Sequence, residues 1–301
     1  MGAVLLAVVA LPARGAQPAN RRSGYRRAQM RSATVLRSAD NTVKSANATR
    51  ILTVSRPDGQ QARGVFKPRD GERDGIRRRV GGDLFRREIA ASQLNDAWGF
   101  ELVPTTVWYR QGGQVGSLQL FAENTRMAGR IPMAARPVLE RRLAEQLRVF
   151  DYIIGQRDRH GGNLLIRMVD NQVRPVAIDN GIAFHTTIPE RAFRFPPNFF
   201  RGHTGPLLAE THALIRNIDL HQTAQILSRL GIERPAIVLT LRRIQRVKND
   251  PSFLRIDPAR GVAGTAERMT REGSDETQGL SQQQLQRIDR MVAAVSNSST
   301  G

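Results

Sequence analysis

The stretch DYIIGQRDRHGGNLLI at residues 151–166, followed by AIDNGIAF at residues 177–184, decides the fold of this 301-residue chain. Asp158 and Asn163 share one glycine-containing loop, and Asp179 follows a short apolar strand further along the chain. Phosphoryl transfer needs one carboxylate that orients and accepts the proton of the attacking hydroxyl, and hard oxygen ligands that hold Mg²⁺ against the phosphates. The spacing therefore predicts a phosphotransfer centre with Asp158 as the catalytic carboxylate and with Asn163 and Asp179 as metal ligands.

Each of these motifs also has an ordinary structural explanation when taken singly. Asp158 could lie in a surface loop and form an ion pair with Arg157 or Arg159. The sequence Asp-Asn-Gly at 179–181 is common in turns. The combination of both motifs, with the lobes predicted around them, favours phosphotransfer.

Lys67 ends an apolar strand in a chain where few of the 46 basic residues are lysines. Contact with the α- and β-phosphates of a nucleotide suits a compact ammonium better than a guanidinium. Glu88 has apolar neighbours one turn away on the same predicted helix face, so its carboxylate is expected to point inward and to pair with Lys67. The alternative is a solvent-facing Glu88 that pairs with Arg86 or Arg87.

The order of predicted elements places a strand-rich part before a helical part. Two hairpins, at residues 50–67 and 103–121, flank one helix at residues 83–98, and apolar residues at helical spacing predict further helices from residue 137 onward. We therefore predict an α+β fold with two lobes. The small β-rich N-lobe, with one key helix, would cover residues 34–123, and the larger, mainly helical C-lobe would cover residues 124–257.

The two ends of the chain are expected to lie outside these lobes. Residues 1–33 contain arginines but no acidic residue, and we predict a flexible basic arm there. Within it, residues 3–16 resemble a secretory signal segment without its preceding basic charge, so secretion stays open beside a cytoplasmic or peripheral-membrane location. Residues 258–301 are predicted to form a linker followed by an amphipathic helix.

In ordered blocks across residues 60–200, the chain resembles the phosphatidylinositol 3/4-kinase-like branch of the kinase superfamily, most closely the type II phosphatidylinositol 4-kinases. The blocks are VFKP at 65–68, LVP at 102–104, GSLQLFAE at 116–123 and the two stretches quoted above. The Asp-Arg-His and Asp-Asn-Gly elements are also similar to those of Golgi-type secretory protein kinases. The resemblance implies a protein-kinase-like fold that transfers the γ-phosphoryl group of ATP, with Mg²⁺ or Mn²⁺, to a lipid head group or a protein.

The resemblance also implies roles for single residues. Lys67, paired with Glu88, would bind the ATP phosphates, and His160 would help to hold the γ-phosphate unless it is a structural loop histidine. The hinge around adenine would consist of Gln119, Leu120, Phe121 and Ala122.

The loop expected to cover the phosphates departs from the family pattern. Residues 40–49 read DNTVKSANAT, without a glycine, so Ser45 and Thr49 are the candidates to cradle phosphate together with backbone amides. This departure keeps a second hypothesis open, namely a pseudokinase that binds nucleotide or a partner without turnover.

The net charge of +19 favours anionic partners. ATP, a phosphoinositide or protein acceptor, and an anionic membrane surface all fit that charge. Aromatic residues make up only 5% of the chain and do not interleave with basic clusters, which argues against nucleic-acid binding by stacking. The chain has no cysteine and no pair of histidines at helical spacing, which argues against a zinc site.

Overall fold

A computed structural model of the chain describes residues 17–40, 47–132, 139–169, 172–186, 206–250 and 279–297. The signal-like segment 3–16, Ser45 and the predicted linker from residue 258 to residue 278 lie outside the described residues. Within the described part, no helix is long and apolar enough to cross a bilayer.

A five-stranded antiparallel sheet forms the first lobe, with the strand order β1-β2-β3-β5-β4. Both predicted hairpins are present, as β2–β3 and β4–β5. The strands are β1 (Thr34–Asp40), β2 (Arg50–Ser55), β3 (Gln61–Pro68), β4 (Thr106–Gln111) and β5 (Gln114–Leu120).

The second part of the chain is mainly helical, with a small sheet of order β6-β7-β8 at the junction of the lobes. Its strands are β6 (Thr125–Met127), β7 (Leu164–Val169) and β8 (Gln172–Ala177). Among the described residues the helices are α1 (Gln17–Arg31), α2 (Asp74–Val80), α3 (Leu84–Ala97), α4 (Arg141–Ile154), α5 (Ala209–Arg216), α6 (Leu220–Arg229), α7 (Arg234–Asn249) and α8 (Gln282–Asn297), with 3-10 turns at Arg69–Gly71 and Ala128–Arg130. This is the predicted α+β fold of two lobes, whereas the proposed lobe limits at residues 34, 124 and 257 stay a prediction.

Residues 17–31 form helix α1, so the prediction of a flexible arm throughout residues 1–33 is wrong for this stretch. Met30 is buried to 2% exposure against the apolar cluster of the five-stranded sheet. The Tyr109 hydroxyl donates a hydrogen bond of 2.6 Å to the carbonyl of Ala33 just after the helix. A helix with little amphipathic pattern is stabilised here by tertiary contacts, which local composition does not report.

Helix α3 joins the two lobes through a shared core. Trp98, at its end, packs edge-on against Phe100 and Phe150, with ring centroids 6.2 and 5.9 Å away. The indole Nε1 of Trp98 donates to Thr223 Oγ1 of α6 at 3.1 Å. Most buried apolar residues of α3 therefore belong to the same apolar cluster as residues of α4, α6 and α7.

Candidate active site

Lys67 lies between two carboxylates at the junction of the lobes. Its Nζ contacts Oε1 of Glu88 and donates to Oδ1 of Asp179 at 2.9 Å. Glu88 is buried, with 2% of its side chain exposed, so the predicted Lys67–Glu88 pair is confirmed and the solvent-facing alternative is wrong. The role of the pair in binding phosphates stays a prediction.

The charges of Lys67 and Asp179 stabilise each other. Burial by itself would lower the pKa of Lys67, but the carboxylates of Asp179 and Glu88 outweigh it and raise that pKa. The ammonium of Lys67 in turn lowers the pKa of Asp179. At neutral pH the site thus presents a charged ammonium beside an ionised aspartate that is half exposed.

Hydrogen bonds at the start and at the second turn of helix α3 hold Glu88 beside Lys67. The Glu72 carboxylate accepts hydrogen bonds from the backbone N–H groups of Leu84 and Phe85, at 3.0 and 2.7 Å, and so caps the first turn. Glu88 Oε2 accepts the backbone N–H of Asn180 at 2.9 Å. One carboxylate of α3 thus bonds both the N-lobe lysine and the loop that carries Asp179.

Asp158 and Asn163 are brought together within one loop. The Asn163 side-chain nitrogen donates to the backbone oxygen of Asp158 at 2.8 Å and lies 3.4 Å from its Oδ2. Since the amide nitrogen faces Asp158, the Oδ1 of Asn163 is the atom oriented to accept a ligand. Gln156 links this loop to Asp179, because its Oε1 accepts the N–H of Asp158 and its Nε2 donates to the carbonyl of Asp179, both at 3.0 Å.

A buried arginine organises the same loops, and sequence reasoning missed this role. Arg159, only 1% exposed, binds both carboxylate oxygens of Asp151 at 2.9 and 3.0 Å. It also donates to the carbonyls of Asn163 and Ile178 and to Oδ1 of Asn180, at 2.7, 2.6 and 2.6 Å. The available signal was Asp151 itself, a carboxylate within the apolar run of α4, which requires a buried partner. The alternative pairing of Asp158 with Arg159 is therefore not observed.

The backbone at Asp179 is in the left-handed region, with φ of +57°. A non-glycine residue there costs roughly 1 kcal/mol, and such residues occur often at ligand sites. Gly181 allows a close approach of two elements, because a Cβ at this position would lie 3.2 Å from Cβ of Leu84. Its missing side chain lets α3 approach the loop closely.

The hinge residues are largely engaged within the protein. The Gln119 side chain donates to Thr106 Oγ1 at 3.0 Å, and the backbone N–H groups of Leu120 and Phe121 donate to carbonyls of the N-lobe at 2.8 and 2.9 Å. The Ala122 carbonyl accepts from the Thr125 hydroxyl at 2.8 Å. The predicted contact of this hinge with adenine therefore stays a prediction, and two of its N–H donors already have partners.

His160 lies at the surface beside the carboxylate of Asp158. Its Nε2 is 3.7 Å from Oδ2 of Asp158, and its Nδ1 accepts the backbone N–H of Gly162 at 2.9 Å. In the neutral ring the proton is then on Nε2, the nitrogen that faces Asp158. The last residues of the predicted phosphate loop lie within the described part of the chain. Thr49 is half-buried. The backbone N–H of Ala48 donates to the carbonyl of Gly71 at 3.1 Å.

The side-chain oxygens of Asp179 and Asn163 suit Mg²⁺ better than a transition metal. Among the described residues there is no cluster of three or more histidine, cysteine, aspartate or glutamate side chains that could enclose a metal. Mg²⁺ keeps several waters and takes one or two protein carboxylates together with substrate phosphates. One ionised carboxylate on Asp179 and the amide oxygen of Asn163 fit that preference.

A surface cavity of about 730 Å³ lies beside the hinge and not at Lys67. Arg63 pairs with Glu123 along it and stacks over the Phe121 ring, with 4.2 Å from guanidinium carbon to ring centroid. The cavity is lined by none of Lys67, Asp158 and Asp179.

Residues 110–246 match the model of the family described as phosphatidylinositol 3- and 4-kinase. The curated protein phosphatidylinositol 4-kinase gamma 4 of Arabidopsis thaliana is 26% identical over 249 residues, covering 69% of this chain and 43% of the relative. The chain thus spans less than half the length of that relative. The family match includes Asp158, Asn163 and Asp179, while Lys67 and Glu88 precede it.

Solved kinase structures are similar at low identity. The proinflammatory kinase CtkA of Helicobacter pylori has a TM-score of 0.43 and 11% identity, covering 79% of this chain and 97% of that chain. The FAT and kinase domain of CtTel1 has a TM-score of 0.35 and 16% identity, covering 89% of this chain and 22% of that one.

Proposed function

We propose that this chain, which is similar to phosphatidylinositol 3- and 4-kinases, is an ATP-dependent phosphotransferase acting on a hydroxyl of a lipid head group or a protein. The observation that carries the proposal is Lys67 between Glu88 and Asp179, with Asp158 and Asn163 on the adjoining loop. A charged ammonium, an ionised carboxylate and an amide oxygen then converge where the lobes meet. This is the set of groups that phosphoryl transfer requires.

In this proposal some residues bind the nucleotide and the metal, and others act in proton transfer. Lys67 exchanges its bond to Asp179 for the ATP phosphates, while Glu88 keeps the ammonium in place. Asp158 orients the acceptor hydroxyl and accepts its proton, and His160 donates from Nε2 toward the γ-phosphate. Asn163 and Asp179 would hold Mg²⁺, which would neutralise charge on the phosphates.

The test is magnesium-dependent ATP turnover by the purified chain, compared among Asp158→Ala, Asp179→Ala and the control Asp289→Ala. Asp289 is half exposed on α8, far along the chain from the site. We expect each site variant to lose about a hundredfold or more in kcat, the scale of a positioned acid or base, and the control to match the wild type. If both site variants turn over ATP like the wild type, the assignment of this centre is wrong.

The acceptor can be identified in an assay with the same purified protein and labelled ATP. Phosphoinositide vesicles, an acidic protein and the chain itself are offered as separate acceptors. Label transfer to the vesicles alone would identify a lipid kinase, and transfer to protein alone would identify a protein kinase.

The glycine-free phosphate loop supports a pseudokinase as the second candidate. A ligand that binds only the folded state stabilises it by about 2.7 kcal/mol at a hundred times its Kd. Thermal stabilisation by ATP and Mg²⁺, without turnover on any acceptor, would favour this candidate over the first.

A further inference from the structure

Helix α1 reaches the face of the N-lobe that carries α3 through the side chain of Arg27. Met30, near the end of α1, and Ala33 join the buried cluster on the opposite face of the sheet. The guanidinium of Arg27, however, passes the edge strand β4 and donates to the carbonyl of Thr106 at 2.8 Å. It ends on α3, the helix that carries Glu88.

Arg27 makes a dense set of hydrogen bonds to α3. It donates from Nε and from one terminal nitrogen to Oδ2 of Asp96, at 3.0 and 2.6 Å. The same terminal nitrogen lies 2.6 Å from the carbonyl of Ser92 and 3.0 Å from its hydroxyl. Only 12% of the Arg27 side chain is exposed, so this charge-assisted contact is shielded from water.

The residues that Arg27 holds share a helix face with Glu88. Glu88, Ser92 and Asp96 follow at intervals of four, which in an α-helix places them one above the other, about 6 and 12 Å along the axis. The Ser92 hydroxyl also accepts the N–H of Thr106 at 3.0 Å. This face of α3 is therefore fixed at one end by the Lys67–Glu88 contact and at the other by Arg27 and β4.

We propose that α1 acts as a strap on the N-lobe, and that Arg27 is a positioning residue that keeps α3 oriented so that Glu88 holds Lys67. Without this guanidinium, the half of α3 beyond Glu88 loses four hydrogen bonds and Asp96 loses its buried cation. The helix then rotates or slides more freely, and the ammonium of Lys67 is held by Asp179 alone for a larger fraction of the time. The consequence for turnover rests on the proposed function, whereas the consequence for α3 does not.

The experiment compares Arg27→Ala, Arg27→Lys and the matched control Arg31→Ala in the full chain. Arg31 lies one turn further along the same helix and is exposed. Hydrogen exchange of the backbone amides at residues 84–97 reports the freedom of α3 without any need for activity. We expect about tenfold faster exchange there in Arg27→Ala, an intermediate rate in Arg27→Lys, and wild-type rates in Arg31→Ala and at α7 in every variant.

Measurements of kcat and KM distinguish a positioning role of Arg27 from an effect on stability alone. We expect kcat to fall about tenfold or more in Arg27→Ala, since small misplacements of catalytic groups are costly, while the KM for ATP stays within about twofold. Arg27→Lys, which keeps the charge but not the planar fork, should recover part of that loss. If the alanine variant does not fold, the lysine variant carries both measurements.

The two proposals fail in different ways. Unchanged exchange at residues 84–97 in a folded Arg27 variant overturns the strap, whatever the turnover. Faster exchange with unchanged kcat overturns the positioning role. A wild-type chain that turns over no ATP overturns the proposed function, and the exchange measurement still decides whether α1 holds α3.

Discussion

Single ionisable residues in this protein take their properties from burial and from their neighbours. Lys67 and Asp179 keep opposite charges because each stabilises the ionised form of the other. His185 lies immediately after the loop that carries Asp179, and its surroundings disfavour the ionised form instead. Burial, with Arg157 and Arg243 nearby, lowers its pKa to about 3, so the folded protein holds this imidazole neutral.

The His185 environment predicts a loss of stability in mild acid. In the unfolded chain the histidine has a pKa near 6.5, so it binds a proton as the pH falls below that value. In the folded chain His185 binds this proton only near pH 3. The free energy of unfolding should therefore decrease by about 2 kcal/mol from pH 7.5 to pH 5 on account of this group.

Urea denaturation at both pH values checks this prediction. In His185→Gln the part of the decrease due to this residue should vanish, although the variant can be less stable overall. His221→Gln, at an exposed position on α6, should keep the full decrease. An unaltered pH dependence in His185→Gln would contradict the explanation.

At the scale of elements, α3 depends on a cap from outside its own sequence. The carboxylate of Glu72 accepts the N–H groups of Leu84 and Phe85, where helices usually use their own N-cap residue. Glu72→Gln leaves only one acceptor oxygen for two donors. We expect the free energy of unfolding to fall by about 1–2 kcal/mol, the cost of an unsatisfied buried donor.

Chemical denaturation at pH 7 measures this loss against Asp74→Asn as the control. Asp74 is an acidic residue on the neighbouring helix α2, and 75% of its side chain is exposed. The control should lie within about 0.5 kcal/mol of the wild type. A Glu72→Gln protein as stable as the control would show that this cap contributes little.

At the scale of the whole molecule, the shared core predicts that both lobes unfold together. The chain has two tryptophans, Trp98 in the core between the lobes and Trp108 on the edge strand of the N-lobe. In Trp98→Phe the fluorescence therefore reports the N-lobe, while far-UV circular dichroism reports mainly the C-lobe helices. We expect the two urea midpoints to coincide, as they should for one cooperative unit.

Trp108→Phe serves as the matched variant, because its fluorescence then reports the shared core. There too the fluorescence and dichroism midpoints should agree. A Trp108 signal that changes at lower urea than the helical signal would mean that the N-lobe unfolds on its own.

Local patterns were sufficient to predict both hairpins, helix α3 and the Lys67–Glu88 pair. Alternating and helical periodicities identified both hairpins and α3, because burial of one face imposes the period of the element on the sequence. The scarcity of lysine and the inward face of α3 were enough to predict the Lys67–Glu88 pair. The proposed roles of Asp158, Asn163 and Asp179 follow from residue type and spacing.

Only the tertiary structure decided what holds these elements in place. The docking of α1 through Arg27, the cap from Glu72 and the network of Arg159 all join residues that are distant in the sequence or hidden in apolar runs. Each depends on geometry that no local pattern encodes, since a buried polar group is stable only when its partner arrives from elsewhere in the fold. The chemistry expected of the DRHGGN and IDN segments could thus be read from the chain, whereas the orientation of α3 behind Lys67 required the fold.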